Sequence, residues 1–491
     1  MSKAIIIGAG LGGLALGIRL QAAGVATTLI DARDQPGGRL RRLMHENFNF
    51  DASASWAMEH DSLCELCALV GADLAGIVEL LPVIPVCRYV WPDGTTFDTS
   101  NDEIALHREI ERIAPQDIAG YAELSAYSAG VARDFSALGP DDFATRFGAL
   151  PMLTLRRAWR SVFARVRDHI SNVHLQQAFS CYPILTGCNP MSTSCLTLAS
   201  HIREKQNGTW YARGGTQAVV NALATLYTQL GGTLRLGDPV IRIETSGDHA
   251  TGATCASGWS AQADMLASAV DPVHTYAHLL KGSGQGRKLA GAYARMPHSA
   301  AQFILHFGIK GTWPGIPHHS ILFGPRYEGL LTDIFRHGIL PRDMLIMLHH
   351  PSLTDTALAP EGHSVFSAHV LVPHLGKLPV DWNGGLGAMM AERVLDEIER
   401  RLIPDIRARI VTQFHVTPAD TARDLNAYQG SMSGISPTRA QCLLSPANLR
   451  DARIRNLFLI GAEGALVGTA PSVLSASHLA AKQMLGSRAQ T

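Results

Sequence analysis

The segment Ile5-Ile6-Ile7-Gly8-Ala9-Gly10-Leu11-Gly12-Gly13 constrains this chain more than any other. It reads G-x-G-x-x-G directly after an apolar strand, Ala4–Ile7, and ahead of a helical run, Leu14–Ala23, with a second strand at Thr27–Ile30. Gly8 permits the tight turn, Gly10 lets the backbone approach a pyrophosphate, and Gly13 lets helix and strand pack closely. The helix start brings free N–H groups and a positive partial charge to the same place. Asp31 closes the second strand about 20 residues on, the spacing of a ribose ligand, and Ala32 and Arg33 follow it. Such a strand, turn, helix and acid predict a dinucleotide site that includes Gly8, Gly10, Gly12, Gly13, Asp31, Ala32 and Arg33.

The same character returns twice. Gln217–Gln229 reads as a helix and Thr233–Glu244 as a strand; strand Leu457–Ile460, a glycine-rich turn and a helix from about Ser472 to Leu485 close the chain. Two long insertions lie between, the first mainly helical in pattern, the second with strand-like runs at Ala301–Phe307 and Ser364–Val372. The expected architecture is α/β. Residues 1–79, 206–280 and 426–491 form a Rossmann-like nucleotide-binding domain, 80–205 a helical cap, and 281–425 a substrate-binding part. Lys+Arg and Asp+Glu are both 42, so no net charge argues for nucleic acid. The eight cysteines are scattered, as in reduced cytosolic proteins. Cys64 and Cys67 are expected as packed helix thiols. Residues 4–30 are apolar but interrupted by Arg19 and glycines, so neither a span nor a signal peptide is expected. His318-His319 and His349-His350 suggest no metal, because adjacent side chains diverge in helix and strand alike.

Gln35-Pro36-Gly37-Gly38-Arg39 follows the acid by a few positions, and Asn456-Leu457-Phe458-Leu459-Ile460-Gly461-Ala462-Glu463 closes the chain. Both resemble flavoproteins of the amine-oxidase type. There, a Gly-Gly-Arg lies against the cofactor and a carboxylate after the closing strand meets the ribityl chain. The resemblance implies FAD, and adds Gly38, Arg39, Gly461 and Glu463 to the cofactor residues. It also adds Val240, whose strand meets the adenine through its backbone in such folds. Ser472 and Val473 join them because a helix N-terminus there would face the pyrimidine end of a flavin and stabilise charge on its reduced form.

From end to end the sequence resembles the bacterial-type phytoene desaturases, the FAD-dependent carotenoid desaturase family. The resemblance runs through Arg213-Gly214-Gly215-Thr216 and Leu425-Asn426-Ala427-Tyr428. Within the insertions it is carried by Ala158-Trp159-Arg160-Ser161-Val162, Phe323-Gly324-Pro325-Arg326-Tyr327 and Val372-Pro373-His374-Leu375-Gly376. It implies an FAD-dependent oxidoreductase acting on CH–CH bonds of phytoene or a related C30/C40 isoprenoid, with hydride transfer to flavin N5. A quinone or oxygen is expected as electron acceptor, since the sequence shows only one dinucleotide fingerprint. Arg160, in the family-like Trp159-Arg160-Ser161, is read as a catalytic polar group in the substrate cavity, with a surface cation of its helix as the alternative. Two loops depart from the family. Phe-Asp-Ala-Gly-Pro-Thr is replaced by Phe50-Asp51-Ala52-Ser53-Ala54-Ser55, and the closing Gly-Thr-His-Pro-Gly run by Glu463-Gly464-Ala465-Leu466-Val467. A flavin-dependent isomerase, saturase or oxidase on another polyene, and a non-catalytic FAD- or carotenoid-binding homologue, therefore stand as alternatives.

Residues 152–170 are expected to form one amphipathic helix, with Met152, Leu155, Trp159, Val162, Phe163, Val166 and Ile170 at helical spacing and five arginines on other faces. An isoprenoid substrate dissolves in the bilayer, so the expected location is the cytoplasm, with peripheral attachment to the inner face of the cell membrane.

Overall fold

The computed structural model describes residues 2–53, 58, 60–137, 154–157, 159–199, 207–439, 451, 453–461 and 470–488. Its first sheet has five strands, in the order Leu457–Leu459, Met265–Ser268, Lys3–Ile7, Ala26–Ile30, Thr233–Arg235. Every pairing is parallel. All three segments expected to form the nucleotide-binding domain thus supply strands. Parallel strands are covered on both faces, which is why Ile5, Ile6 and Ile7 are all apolar and all buried. On one face the helices Leu11–Ala22, Thr216–Gln229 and Ala470–Arg488 pack around Ile6, Leu14, Leu29 and Phe458. On the other, Ile5, Ile7 and Leu266 meet a three-stranded antiparallel sheet made of Val240–Ser246, His249–Cys255 and Ser260–Gln262.

The second sheet has seven strands, in the order Ile410–Val416, Ala301–Lys310, His363–Val372, Ile346–His349, His319–Leu322, Cys87–Val90, Thr96–Thr99. One face, with Phe303, Phe307, Phe366 and Val370, packs on Val394 and Ile398 of the helix Gly387–Arg401. The alternation of a strand sends the intervening residues, among them His306, Ser367, His369, His349 and His319, to the opposite face.

Several expected elements differ. The first helix starts at Leu11, because Gly10 already serves as its N-cap. Thr233–Glu244 is two strands in different sheets; Gly237, at φ +69°, and Pro239 turn the chain between them. The first insertion opens with strands, and Cys87–Val90 and Thr96–Thr99 complete the sheet of the second insertion. The single helix over 152–170 is broken. Arg157 lies at φ +50°, Ser161 bridges to Ser194, and the Ser161 hydroxyl caps a new short helix, Val162–Arg167. Val162, Phe163, Val166 and Ile170 are buried, while Leu155 and Trp159 are exposed; Met152 lies outside the described residues. Packing of the second half against Phe179 and Tyr327 decided the chain path, not the helical period. In the helix His60–Ala68, Cys67 is buried and Cys64 half-buried beside His60. Among the described residues no helix is long and apolar enough to cross a membrane.

Candidate cofactor site

The fingerprint glycines divide into two kinds. Gly8 sits at φ +106° and donates its N–H to the Ile30 carbonyl at 2.7 Å. A Cβ on Gly13 would lie 2.0 Å from the Gly8 carbonyl oxygen, and one on Gly12 would lie 2.9 Å from Val473 Cγ1. These three serve packing. A Cβ on Gly10 would meet nothing within 4 Å, and its φ of −77° suits any residue. Gly10 leaves space for something outside the protein.

That space is a cavity of about 660 Å³ at the ends of the parallel strands. It is lined by Gly8, Gly10, Gly12, Asp31, Ala32, Arg33, Gly38, Arg39, Val240, Gly461 and Val473. The Asp31 carboxylate is fixed from both sides, accepting from the Ala9 N–H at 2.6 Å and the Arg33 N–H at 2.9 Å. Gly37 donates its N–H to the Ala9 carbonyl at 2.9 Å, which sews the Gly37-Gly38-Arg39 turn to the fingerprint. Arg33 donates to the Asp424 carbonyl, tying the third segment to the first. Arg33, Arg39 and Lys281 put positive charge on the wall. Burial, together with the charges of Arg33 and Arg39, pulls the nearby Arg41 guanidinium down to about 10, against the opposing pull of Asp424. Bare glycine backbone at a helix start, a pinned carboxylate and flanking cations suit a dinucleotide with its pyrophosphate.

Gly13 lies behind the wall, where it packs. Ser472 is not on the wall, although Ala470 and Val473 of the same helix are. Glu463 lies outside the described residues. Arg160 does not line this cavity; its guanidinium pairs with Asp168 and donates to the Ala164 carbonyl at 3.3 Å. The cavity also takes in residues to which sequence reasoning gave no role. Among these are His274, His278, Lys281, Tyr182, Leu185, Thr186, Met432 and Ser433; Ser53, from the loop that departs from the family pattern, joins them on the wall. Some signal existed, since Leu425 and Asn426 fall in a family-like stretch. Asp271 explains the placement of that stretch: it caps the helical turn at Val273 and accepts from the Tyr428 N–H at 2.9 Å.

Two residues before Ser53, Asp51 is fully buried. Burial alone would raise its carboxyl, but hydrogen bonds from His349, Tyr211 and Thr216 outweigh that and hold it below the usual range. Around it lie buried histidines. Burial presses His306 down to about 3 and His350 to about 4, and pushes His318, His319 and His369 well below the ordinary imidazole value. The expected divergence of adjacent side chains holds for His349 and His350, the ring of His350 stacking on Phe366 at 4.1 Å. It does not hold for His318 and His319, whose ring centroids lie 4.6 Å apart because His318 precedes the strand His319–Leu322 and escapes its alternation. The ladder also sets His319 opposite His349.

A strand–glycine–helix unit whose cavity is completed by a returning C-terminal segment places the chain among the dinucleotide-binding α/β proteins of the flavoprotein kind. Solved structures of that kind share its fold. Putrescine oxidase bound to putrescine superposes with a TM-score of 0.65 at 14% identity, covering 99% of both chains. Cyclohexylamine oxidase from Brevibacterium oxydans IH-35A gives 0.59 at 16%, again over 99% of both. The pattern of the family described as flavin containing amine oxidoreductase matches residues 11–485. A lycopene-forming phytoene desaturase from Paracoccus sp. (strain N81106 / MBIC 01143) is 40% identical over 98% of this chain and 97% of its own. One from Pantoea ananas is 36% identical over 99% of each. The chain therefore belongs to the flavin containing amine oxidoreductase family and, within it, to the group of the phytoene desaturases. It is an FAD-dependent oxidoreductase.

Proposed function

We propose that the chain desaturates phytoene or a related C30/C40 isoprenoid in carotenoid biosynthesis, taking a hydride and a proton from a saturated C–C bond. The observation that carries this reading is the 40% identity to a lycopene-forming phytoene desaturase along nearly the whole chain, both insertions included. Bound FAD supplies a two-electron acceptor for the hydride. The fingerprint backbone would hold the pyrophosphate, and Asp31 the ribose. The division into a three-segment FAD domain, a cap and a substrate part is supported by the five-stranded sheet, which draws on all three segments. Tyr182, Leu185 and Met432 give part of the wall an apolar surface suited to holding a polyene and excluding water.

Arg160 is our candidate polar group for the substrate end. Its buried Nε has no acceptor among the described residues. Arg160→Ala is expected to keep bound FAD and lose turnover; unchanged turnover would leave only its structural pairing with Asp168. We also read the protein as peripherally attached to the inner face of the cell membrane, because Leu155 and Trp159 are exposed on a segment rich in arginine. A quinone or oxygen would reoxidise the flavin.

A second reading, isomerisation, saturation or oxidation of another polyene, rests on Ser53, which lines the cavity at a family glycine position. Anaerobic mixing of the FAD-loaded protein with phytoene-loaded liposomes separates the two. Flavin bleaching with new long-wavelength polyene absorption supports desaturation. Bound flavin that stays unbleached sinks it.

A further inference from the structure

We propose that His318, His319 and His349 form a binding site for one divalent cation of the zinc class, outside the cofactor cavity. The three offer one imidazole nitrogen each, all within 4.8 Å of one another, and all three side chains are buried. They converge from two neighbouring strands, because His319 and His349 are ladder partners and His318 enters just ahead of the first strand. The ring centroids of His318 lie 4.6 Å from His319 and 4.8 Å from His349.

The hydrogen bonds of His349 and His318 leave one ring nitrogen of each open. His349 donates Nε2–H to the Asp51 carboxylate at 3.3 Å, and its buried Nδ1 has no partner among the described residues. His318 Nδ1 lies 2.6 Å from the Thr354 hydroxyl, and its buried Nε2 likewise has no partner. A metal-bound histidine characteristically directs its other ring nitrogen to a carboxylate, hydroxyl or carbonyl, which fixes the ring and raises its basicity. Both partners are already in place here. An orphaned nitrogen in a core costs free energy that a bound cation would recover. Asp51, itself held by Tyr211 and Thr216, offsets one unit of the added charge.

Donor chemistry narrows the ion. Three neutral imidazoles suit zinc and its neighbours, whereas magnesium and calcium prefer oxygen. Tetrahedral binding at about 2.0–2.1 Å puts ligand nitrogens roughly 3.4 Å apart, so nitrogens now within 4.8 Å must close by up to about 1.4 Å on binding. Three protein ligands leave a fourth position for water.

The test uses untagged, FAD-loaded, full-length protein, stripped with a chelator and then titrated with Zn²⁺ and separately with Co²⁺. One zinc per chain is expected to survive desalting. Co²⁺ is expected to give the intense visible bands of a tetrahedral site. His318→Gln and His349→Gln should abolish both, while His306→Gln, on the same sheet face but outside the triad, should keep both. Asp51→Asn should weaken zinc by about 10- to 100-fold with flavin content unchanged. A stripped parent protein that takes up neither ion overturns the proposal, and so does equal binding by His318→Gln. If the glutamine variants fail to fold, the Co²⁺ spectrum of the parent decides alone.

Discussion

The two large sheets carry their chemistry in opposite ways. The five-stranded sheet is apolar on both faces and acts through backbone at its strand ends: a bare Gly10, the N–H groups of a helix start, a pinned Asp31. The seven-stranded sheet acts through a face. His306, Ser367, His349 and His319 lie in one row across four adjacent strands, each paired with the next. A site made of backbone occupies one short stretch of chain, because turn and helix start are contiguous. A site made of side chains on a ladder is spread over residues 306–367 and exists only once register is set.

The largest expected effect breaks the first of these. Gly13→Val puts a side chain 2.0 Å from the Gly8 carbonyl oxygen, a backbone atom that cannot yield. No soluble flavin-loaded protein is expected, read as flavin absorbance per chain. Gly10→Ala sharpens the point by separating fold from ligand. Its methyl meets no protein atom, so the flavin-free protein should melt within about 0.5 kcal/mol of the parent. FAD binding should nevertheless weaken at least about tenfold, roughly 1.4 kcal/mol. Equal flavin affinity would mean that Gly10 does not face the cofactor.

The difference between the sheets also explains what sequence reading reached. The fingerprint and Asp31 were legible as a local pattern, and Gly38, Arg39, Gly461 and Val473 only through the resemblance to flavoproteins; Gly8, Gly10, Gly12, Asp31 and those four all line the cavity. Lys281, Tyr182 and Met432 were not, because they reach the cavity through tertiary packing from separate segments. The amphipathic pattern at 152–170 misled for a related reason. Its apolar spacing was real and its second half is buried, but the Ser161–Ser194 bridge and the left-handed Arg157 break the helix. The histidine pairs were read one at a time, and periodicity within a strand carries no information about which strand lies beside it.

The histidine face predicts a steep acid limit. His306, His318, His319, His350 and His369 all have folded-state values below that of an exposed imidazole. Unfolding releases them to bind protons, so stability is full above about pH 6.5 and falls as pH drops toward their depressed values. Each such histidine adds roughly 1 kcal/mol of loss per pH unit. Asp51 adds a loss only lower down, as pH falls from its unfolded value near 4 through its depressed folded one. Denaturant midpoints measured from pH 8 to pH 4.5 should therefore decline steeply below about 6.5. His306→Gln should flatten that decline, and a pH-independent midpoint would contradict the burial of this face.

The smallest effect belongs to the cap, which lends two strands to the seven-stranded sheet and borrows none of the fingerprint's rigidity. Trp159 is 48% exposed and Leu155 74%, on a chain segment with Arg156, Arg157, Arg160 and Arg167 nearby in sequence. Arg156 is committed to Asp134 and Arg160 to Asp168, so the charge left to meet an anionic surface is modest. Most of any attachment must then come from the two apolar side chains, each contributing on the order of 1–2 kcal/mol when buried. Trp159→Ser is accordingly expected to lower the fraction that co-sediments with anionic liposomes by several-fold, with melting temperature and flavin content unchanged. High salt should weaken the parent only partly, because the apolar share is not screened. Co-sedimentation of Trp159→Ser at the parent level would move the membrane contact elsewhere on the molecule, and complete release of the parent by salt would make the arginines, not Trp159 and Leu155, the anchor.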